Sequence, residues 1–250
     1  MNIEDLDALT EEIEHYKSSG KHAELMQRMD QHEKETSEPT VVAVLLMAKA
    51  SAALHLGNQD AADEALSRID CASLTGAMQN YVNILKATAA HRGGRLAEAD
   101  MLLSLILSSK EVNSEEQRDV LYEALAQKGF VQADLNHFSV ALDLLEMASA
   151  LASAGDLSEN IYISQGYCLQ GMGRLDEAEG CLIRALKVGP GKLKADAYYR
   201  LGAVELQREN FAEAKSNFQS ALSSLPGEGV RREDVLSALR EAEASSRAGQ

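Results

Sequence analysis

The residues best suited to chemistry in this 250-residue sequence are six histidines and three cysteines. Such side chains can hold metal ions or act as acids, bases and nucleophiles. No His-Glu-x-x-His helix and no pair of cysteines separated by two residues occurs in the sequence. His55 and His91 are candidates for contact between neighbouring helices, although a solvated or hydrogen-bonded role is the expected one. We therefore predict no catalytic residue, no metal site and no cofactor.

One glycine-rich segment has a superficial likeness to a phosphate-binding loop. Gly189-Pro-Gly191-Lys192 contains glycine and lysine, but it lacks the full Gly-x-x-x-x-Gly-Lys-Ser/Thr spacing and the preceding strand. A turn that ends a helix is the simpler interpretation. The sequence also has no Gly-x-Ser-x-Gly nucleophile motif. These absences predict that the protein is not an enzyme.

The charge of the chain excludes further classes of function. Acidic residues number 39 and basic residues 24, which gives a formal net charge of −15. This balance argues against binding to nucleic acid or to an anionic membrane surface, because both need clustered lysine and arginine. The most apolar stretch, residues 41–56, is interrupted by Lys49 and is too short to span a membrane. With an odd number of cysteines and an acidic, signal-free N-terminus, we expect a cytoplasmic protein.

The spacing of apolar residues predicts helices throughout the chain. Apolar residues recur at intervals of three and four, as in Leu135, Phe138, Leu142 and Leu145, and almost nowhere alternate with a period of two. Glycines follow many of these apolar stripes, and a glycine just past a stripe is a common helix stop. We therefore predict an all-α fold of short helices joined by tight turns.

A short motif recurs along the sequence and indicates internal repeats. It consists of Gly or Asn, a spacer, an apolar residue, two more residues and then a small residue, as in Gly173-Arg-Leu-Asp-Glu-Ala178. Six copies end at positions spaced 37, 37, 42, 37 and 36 residues apart. Each copy predicts one helix–turn–helix unit. The predicted repeats span about residues 3–35, 42–72, 79–109, 121–153, 158–190 and 194–226 of a single domain, with a capping helix at about 231–247.

The last copies resemble the tetratricopeptide repeat family. Tyr198-x-x-Leu201-Gly202 is similar to the start of the family repeat, and Phe211, Ala214, Phe218, Ala221 and Pro226 continue its pattern. The resemblance is strong over about residues 122–226 and weaker over 1–111. It implies a right-handed solenoid of about six helix pairs, covered at its end by the capping helix. The spacing exceeds the family's usual length of about 34 residues, which predicts longer helices or turns.

The resemblance also implies where a partner would bind. In such repeats the first helices line a concave groove, and the family's exposed positions can be carried over residue by residue. They select these predicted partner-binding residues: Met47, Ser51, His55, Tyr81, Ile84, Thr88, His91, Phe130, Asn160, Ile163, Tyr167, Gln170, Tyr199 and Gln207. The alternative is that the aromatic members pack between repeats.

Three functions remain open from the sequence. The first is a non-enzymatic scaffold, adaptor or chaperone-like protein whose groove binds a peptide or helix of a partner, apolar or amphipathic and possibly basic. The groove positions lack the basic residues with which family members grip acidic tails. The second is a ligand- or peptide-responsive sensor, with polar joints near residues 33–39 and 108–117. The third is a self-assembly module.

Overall fold

The computed structural model describes residues 6–109, 112, 117–152, 158–188, 191, 193–225 and 230–248. Over these residues the chain forms thirteen α-helices, a 3₁₀ segment at Cys71–Ser73, and no β-strand. The helices are α1 (Leu6–Ser18), α2 (His22–Glu33), α3 (Pro39–His55), α4 (Gln59–Ser67), α5 (Gly76–Arg92), α6 (Leu96–Ser108), α7 (Arg118–Asp134), α8 (Phe138–Leu151), α9 (Glu159–Gly171), α10 (Leu175–Val188), α11 (Lys194–Gln207), α12 (Phe211–Ser223) and α13 (Arg232–Ala248). The predicted all-α fold is confirmed.

The chain divides into two compact units, Met1–Gln127 and Lys128–Gln250. Within the units, consecutive helices pack in pairs, α1 with α2, α3 with α4, α5 with α6, α9 with α10, and α11 with α12. These pairs, together with α7 and α8, are consistent with the six predicted repeats. The prediction of a single domain stays a prediction.

The turns inside the pairs share one backbone geometry. Gly57, Gly94 and Gly173 have φ of +70°, +74° and +74°, a left-handed conformation that glycine adopts without a steric penalty. The residue after each glycine donates its N–H to a carbonyl five residues back, for example from Arg174 to Leu169 at 2.9 Å. This bond closes the end of the first helix and directs the chain into the second.

In the last pair the left-handed residue is not the one that the motif indicates. Asn136 takes this conformation in the α7–α8 turn at φ +60°, but in the α11–α12 turn Glu209 takes it at φ +62°. Asn210 then donates its N–H to the carbonyl of Glu205 at 2.9 Å, as in the other turns. The α11–α12 turn therefore has the same geometry as the others, with a strained non-glycine residue in the left-handed position.

Small residues bring the paired helices of the second unit into close contact. A Cβ atom added at Gly166 would lie 2.7 Å from Leu182 Cγ, and one added at Gly202 would lie 2.5 Å from Phe218 Cε1. Gly129 has the same relation to Leu145, at 2.7 Å. Because real Cβ atoms do not approach other carbons so closely, glycine is required at these three positions.

The extra length of the repeats lies partly in the first helices. Helices α3, α5 and α7 have 17 residues each, whereas α9 has 13 and α11 has 14. The polar joint at 33–39 is a capped turn, in which the Glu38 carboxylate accepts the N–H of Val41 at 2.7 Å. Most of the other polar joint, 108–117, lies outside the described residues.

Polar bonds connect neighbouring helix pairs within each unit. In the first unit Lys49 pairs with Asp30 at 2.6 Å, which joins α3 to α2. In the second unit Arg208, which directly follows α11, reaches Asp176 and Glu179 of α10 at 2.5 and 2.7 Å. At the end of this unit, α13 buries Val235 and Ala242 against α12. Its opposite side is polar, as predicted for a capping helix.

The strained turn predicts a stabilising substitution. Replacing Glu209 with glycine should raise the free energy of unfolding by about 0.5–1 kcal/mol, because the left-handed conformation is unfavourable for residues with a Cβ. The reciprocal change, Gly173→Ala at φ +74°, should lower it by about 1 kcal/mol. Urea unfolding followed by circular dichroism measures both. Equal stability of all three proteins would contradict this account of the turns.

The close packing predicts opposite effects of one methyl group in two adjacent helices. Gly166→Ala should lower the free energy of unfolding by about 1–3 kcal/mol, because the methyl group meets Leu182. Gly180→Ala in α10 should raise it by about 0.5–1 kcal/mol, since a Cβ there meets nothing within 4 Å. The same urea titration compares the two, and a stabilising Gly166→Ala would refute the packing argument.

Candidate functional site

In the first unit the predicted partner-binding residues lie on α3 and α5, and two of them are buried. Met47 is 7% exposed and Ile84 is 3% exposed, and Met47 packs in the apolar cluster formed with α4 and α5. The family pattern selects these positions within one helix at a time. Neighbouring helices cover part of the helix face on which they lie. Met47 and Ile84 therefore pack in the interior and offer little surface to a partner.

The other residues predicted in the first unit retain some exposure. His55 is exposed, whereas the remaining four are partly exposed: Ser51, Tyr81, Thr88 and His91. The Thr88 hydroxyl donates to the carbonyl of Ile84 at 2.9 Å, so its own helix already satisfies it. The ring of His55 stacks on His22, with centroids 4.5 Å apart and planes 7° from parallel. The helix that supplies this partner is α2, which the sequence did not suggest.

In the second unit the predicted residues lie on α7, α9 and α11. Ile163 is 3% exposed and belongs to the interior. The other six remain accessible to different degrees, and we call the surface that carries them the first-helix face of this unit: Phe130, Asn160, Tyr167, Gln170, Tyr199 and Gln207. Asn160 and Gln207 are exposed, and the others are partly exposed.

Tyr167 is the best-supported aromatic residue of the first-helix face. Its ring meets Phe138 edge to face, with centroids 5.5 Å apart and planes at 83°. The guanidinium carbon of Arg200, on α11, lies 4.3 Å from the centroid of the Tyr167 ring. Both contacts are favourable for an aromatic ring, because its edge is positive and its face is negative. Tyr167 is thus held in a defined position while part of it stays accessible.

Arg200 is a functional candidate that the sequence reasoning missed. It belongs to α11, whereas the ring that it covers belongs to α9, and a single sequence does not reveal such contacts between helices. Its Nε atom lies 3.4 Å from Asp196 Oδ1, one helical turn earlier. Burial raises the pKa of Asp196, and the nearby Arg200 guanidinium acts in the opposite direction. Arg200 therefore adds a cation to a face that was expected to be neutral.

Tyr199 combines packing with exposure in a similar way. Its ring lies 5.8 Å from that of Phe218 on α12, at a tilt of 46°. Tyr199 belongs to the apolar cluster beneath α13, but it remains partly exposed. The two interpretations of the aromatic residues, packing and partner binding, are therefore compatible for Tyr167 and Tyr199.

The cysteine beside Tyr167 is poorly suited to nucleophilic chemistry. Cys168 is fully buried, and burial raises the pKa of its thiol to about 11, with Arg200 partly opposing this shift. Burial also raises the pKa of the Cys181 thiol. A thiol of high pKa is mostly protonated near neutral pH and reacts slowly.

The described residues lack two further features. Within the described ranges, no group of three or more histidine, cysteine or carboxylate side chains is arranged to hold a metal ion. Among the helices of that part of the chain, none is both long enough and apolar enough to cross a membrane.

One segment of the chain matches a known protein family. Residues 157–226, which include α9 to α12, match the model of the tetratricopeptide repeat family. This segment therefore belongs to the tetratricopeptide repeat family, as its motifs predicted. No curated protein sequence matches the chain.

Solved structures share the fold at low sequence identity. Cut9, in the APC/C hetero-tetramer Cut9–Hcn1, aligns with a TM-score of 0.71 at 14% identity over 91% of this chain and 41% of its own. Yeast Tom70 aligns with a TM-score of 0.58 at 19% identity, over 90% of this chain and 43% of its own. MamA from Desulfovibrio magneticus RS-1 aligns with a TM-score of 0.52 at 18% identity, over 73% of this chain and 94% of its own. These likenesses establish the fold alone.

The buried thiol predicts a specific pattern of alkylation. In the folded protein at pH 8, iodoacetamide should leave Cys168 unmodified, because a thiol with a pKa of about 11 is only ~0.1% ionised and is also shielded. In urea the same residue should react readily. Peptide mass spectrometry measures the modified fraction under both conditions. Comparable labelling of Cys168 in the two states would contradict its assignment as a structural residue.

Proposed function

We propose that the protein is a non-enzymatic scaffold or adaptor that binds a segment of a partner protein on its first helices. The observation that carries this proposal is Tyr167, held between Phe138 and Arg200 and partly exposed on the first-helix face. Fixed aromatic side chains bind well, because little conformational freedom is lost when a partner covers them.

The family supports this assignment at a coarser level. Tetratricopeptide repeats form interaction surfaces, and a protein of the same fold, Cut9, is found in a hetero-tetramer with Hcn1. In the described residues no group of side chains is arranged to hold a metal ion, and burial raises the pKa of the Cys168 and Cys181 thiols. A chaperone-like role and a cytoplasmic location are part of the proposal and rest on the sequence.

The chemistry of the first-helix face suggests the kind of partner. Tyr167 and Tyr199 offer aromatic surface, and the exposed amides of Asn160 and Gln207 can bond to a peptide backbone. An amphipathic segment suits this mixture, with its apolar side chains on the aromatic rings. The net charge of −15 would speed the approach of a basic partner, although Arg200 on the face itself favours an acidic residue at that point.

The proposal predicts loss of the partner when the aromatic anchors are shortened. In affinity captures from lysate of the source cells, the double variant Tyr167→Ala/Tyr199→Ala should retain at least tenfold less partner than the wild type. Removing a well-packed aromatic anchor from an interface costs about 2 kcal/mol. Quantitative mass spectrometry measures the captured proteins, and binding of the identified partner is then titrated with purified components.

The control is Gln219→Ala, which removes an exposed side chain from the second helix of the last pair. Because Tyr167 and Tyr199 also pack on Phe138 and Phe218, circular dichroism and urea unfolding must establish that the double variant is folded. A folded double variant that captures the same proteins in the same amounts would exclude the first-helix face as the binding site.

A further inference from the structure

A groove lies on another side of the second unit, away from the first-helix face. Its walls are the second helices α8 and α10, and its floor is α9. The volume is about 420 Å³, within the range of sites that bind ligands or side chains of a partner. Apolar side chains in its lining are Leu142, Leu169 and Cys181. The groove therefore offers both a cavity and an apolar base.

Gly180, which lines the groove, has no structural reason to be glycine. Gly129, Gly166 and Gly202 are each required because a Cβ atom would collide with the facing helix, whereas a Cβ at Gly180 meets nothing within 4 Å. Gly180 lies inside α10, where glycine is less favourable than alanine by roughly 0.5–1 kcal/mol. A helical glycine beside an open groove is understandable if the backbone of another chain must approach it closely.

The charges beside the groove are placed on opposite walls. Arg174 and Glu177 neutralise each other through two bonds of 2.7 Å. Arg184 on α10 and Glu146 on α8 are exposed, and neither forms an ion pair or hydrogen bond with another described residue. Arg184 on one wall thus has no carboxylate at ion-pair distance among the described residues, whereas Glu146 on the other wall interacts with Arg174 at longer range.

The length of the groove fits a short extended segment. From Arg174 to Arg184 the wall of α10 is about 15 Å long, at 1.5 Å for each residue. Four or five residues of an extended chain cover that length.

We propose that the α8–α10 groove is a second docking site, and that it binds an extended segment of a partner protein. The backbone of this segment passes over Gly180, and an aliphatic side chain enters between Leu142, Leu169 and Cys181. An acidic residue of the segment pairs with Arg184, and a basic residue pairs with Glu146. The site is separate from the first-helix face and does not depend on the function proposed for that face.

A phage-displayed library of random heptapeptides, selected on the wild-type protein, tests this inference. Selected peptides should contain an aliphatic residue flanked by residues of opposite charge. They should bind Gly180→Ala several-fold more weakly than the wild type, because a methyl group holds the backbone of the segment away from α10. Gly180→Trp should reduce their affinity at least tenfold, because the indole fills the groove. Circular dichroism and urea unfolding verify that both variants are folded.

Tyr167→Ala separates this site from the first-helix face. Peptides bound in the α8–α10 groove should bind this variant as they bind the wild type. Peptides that bind Gly180→Trp as tightly as the wild type but no longer bind Tyr167→Ala would overturn the inference. They would support the first-helix face as the binding site instead. A selection that enriches no peptide would also overturn it.

Reversing the two charges tests the orientation of the segment. The library is selected again on the double variant Arg184→Glu/Glu146→Arg, which keeps the net charge of the protein. The enriched peptides should carry their charged residues in the opposite order around the aliphatic residue. The same order in both selections would overturn the assigned roles of Arg184 and Glu146.

Discussion

The close approach of the two helices in each pair is the constraint on which the second unit depends. At Gly129, Gly166 and Gly202 the first helix has no side chain, and the second helix fills that space with Leu145, Leu182 or Phe218. The large residue is fully or almost fully buried in each case. Any larger residue on the first helix would push the two helices apart. The distance between them is therefore set by the glycine on the first helix and the large side chain on the second.

Two surfaces of different character follow from this placement in the second unit. The first helices carry the aromatic rings and amides of the first-helix face, and Arg200 fixes the ring of Tyr167 there. The second helices enclose the groove that contains Gly180, with a cation and an anion on its opposite walls. Each surface combines apolar area with polar groups, which is the usual composition of a recognition site.

The same residues often serve stability and recognition at once. Tyr167 and Tyr199 pack on phenylalanine rings of adjacent helices and keep part of their own surface accessible. Glu209 holds an unfavourable backbone conformation because the turn needs it, and Arg208 beside it bonds to three carboxylates. An aromatic anchor that is already packed loses little freedom on binding, which favours recognition by a rigid surface.

The helical fold, the turns and the repeat follow from the sequence pattern, because they depend on the spacing of neighbours along the chain. Gly173, Leu175 and Ala178 form one copy of a recurring pattern. Each copy predicts a turn followed by a second helix. The accessibility of the predicted site residues, in contrast, depends on how the helices pack. Met47, Ile84 and Ile163 are buried, and Arg200 and Gly180 emerge as candidates. Exposure and contact depend on helices that are distant in sequence, and the pattern within one helix does not contain that information.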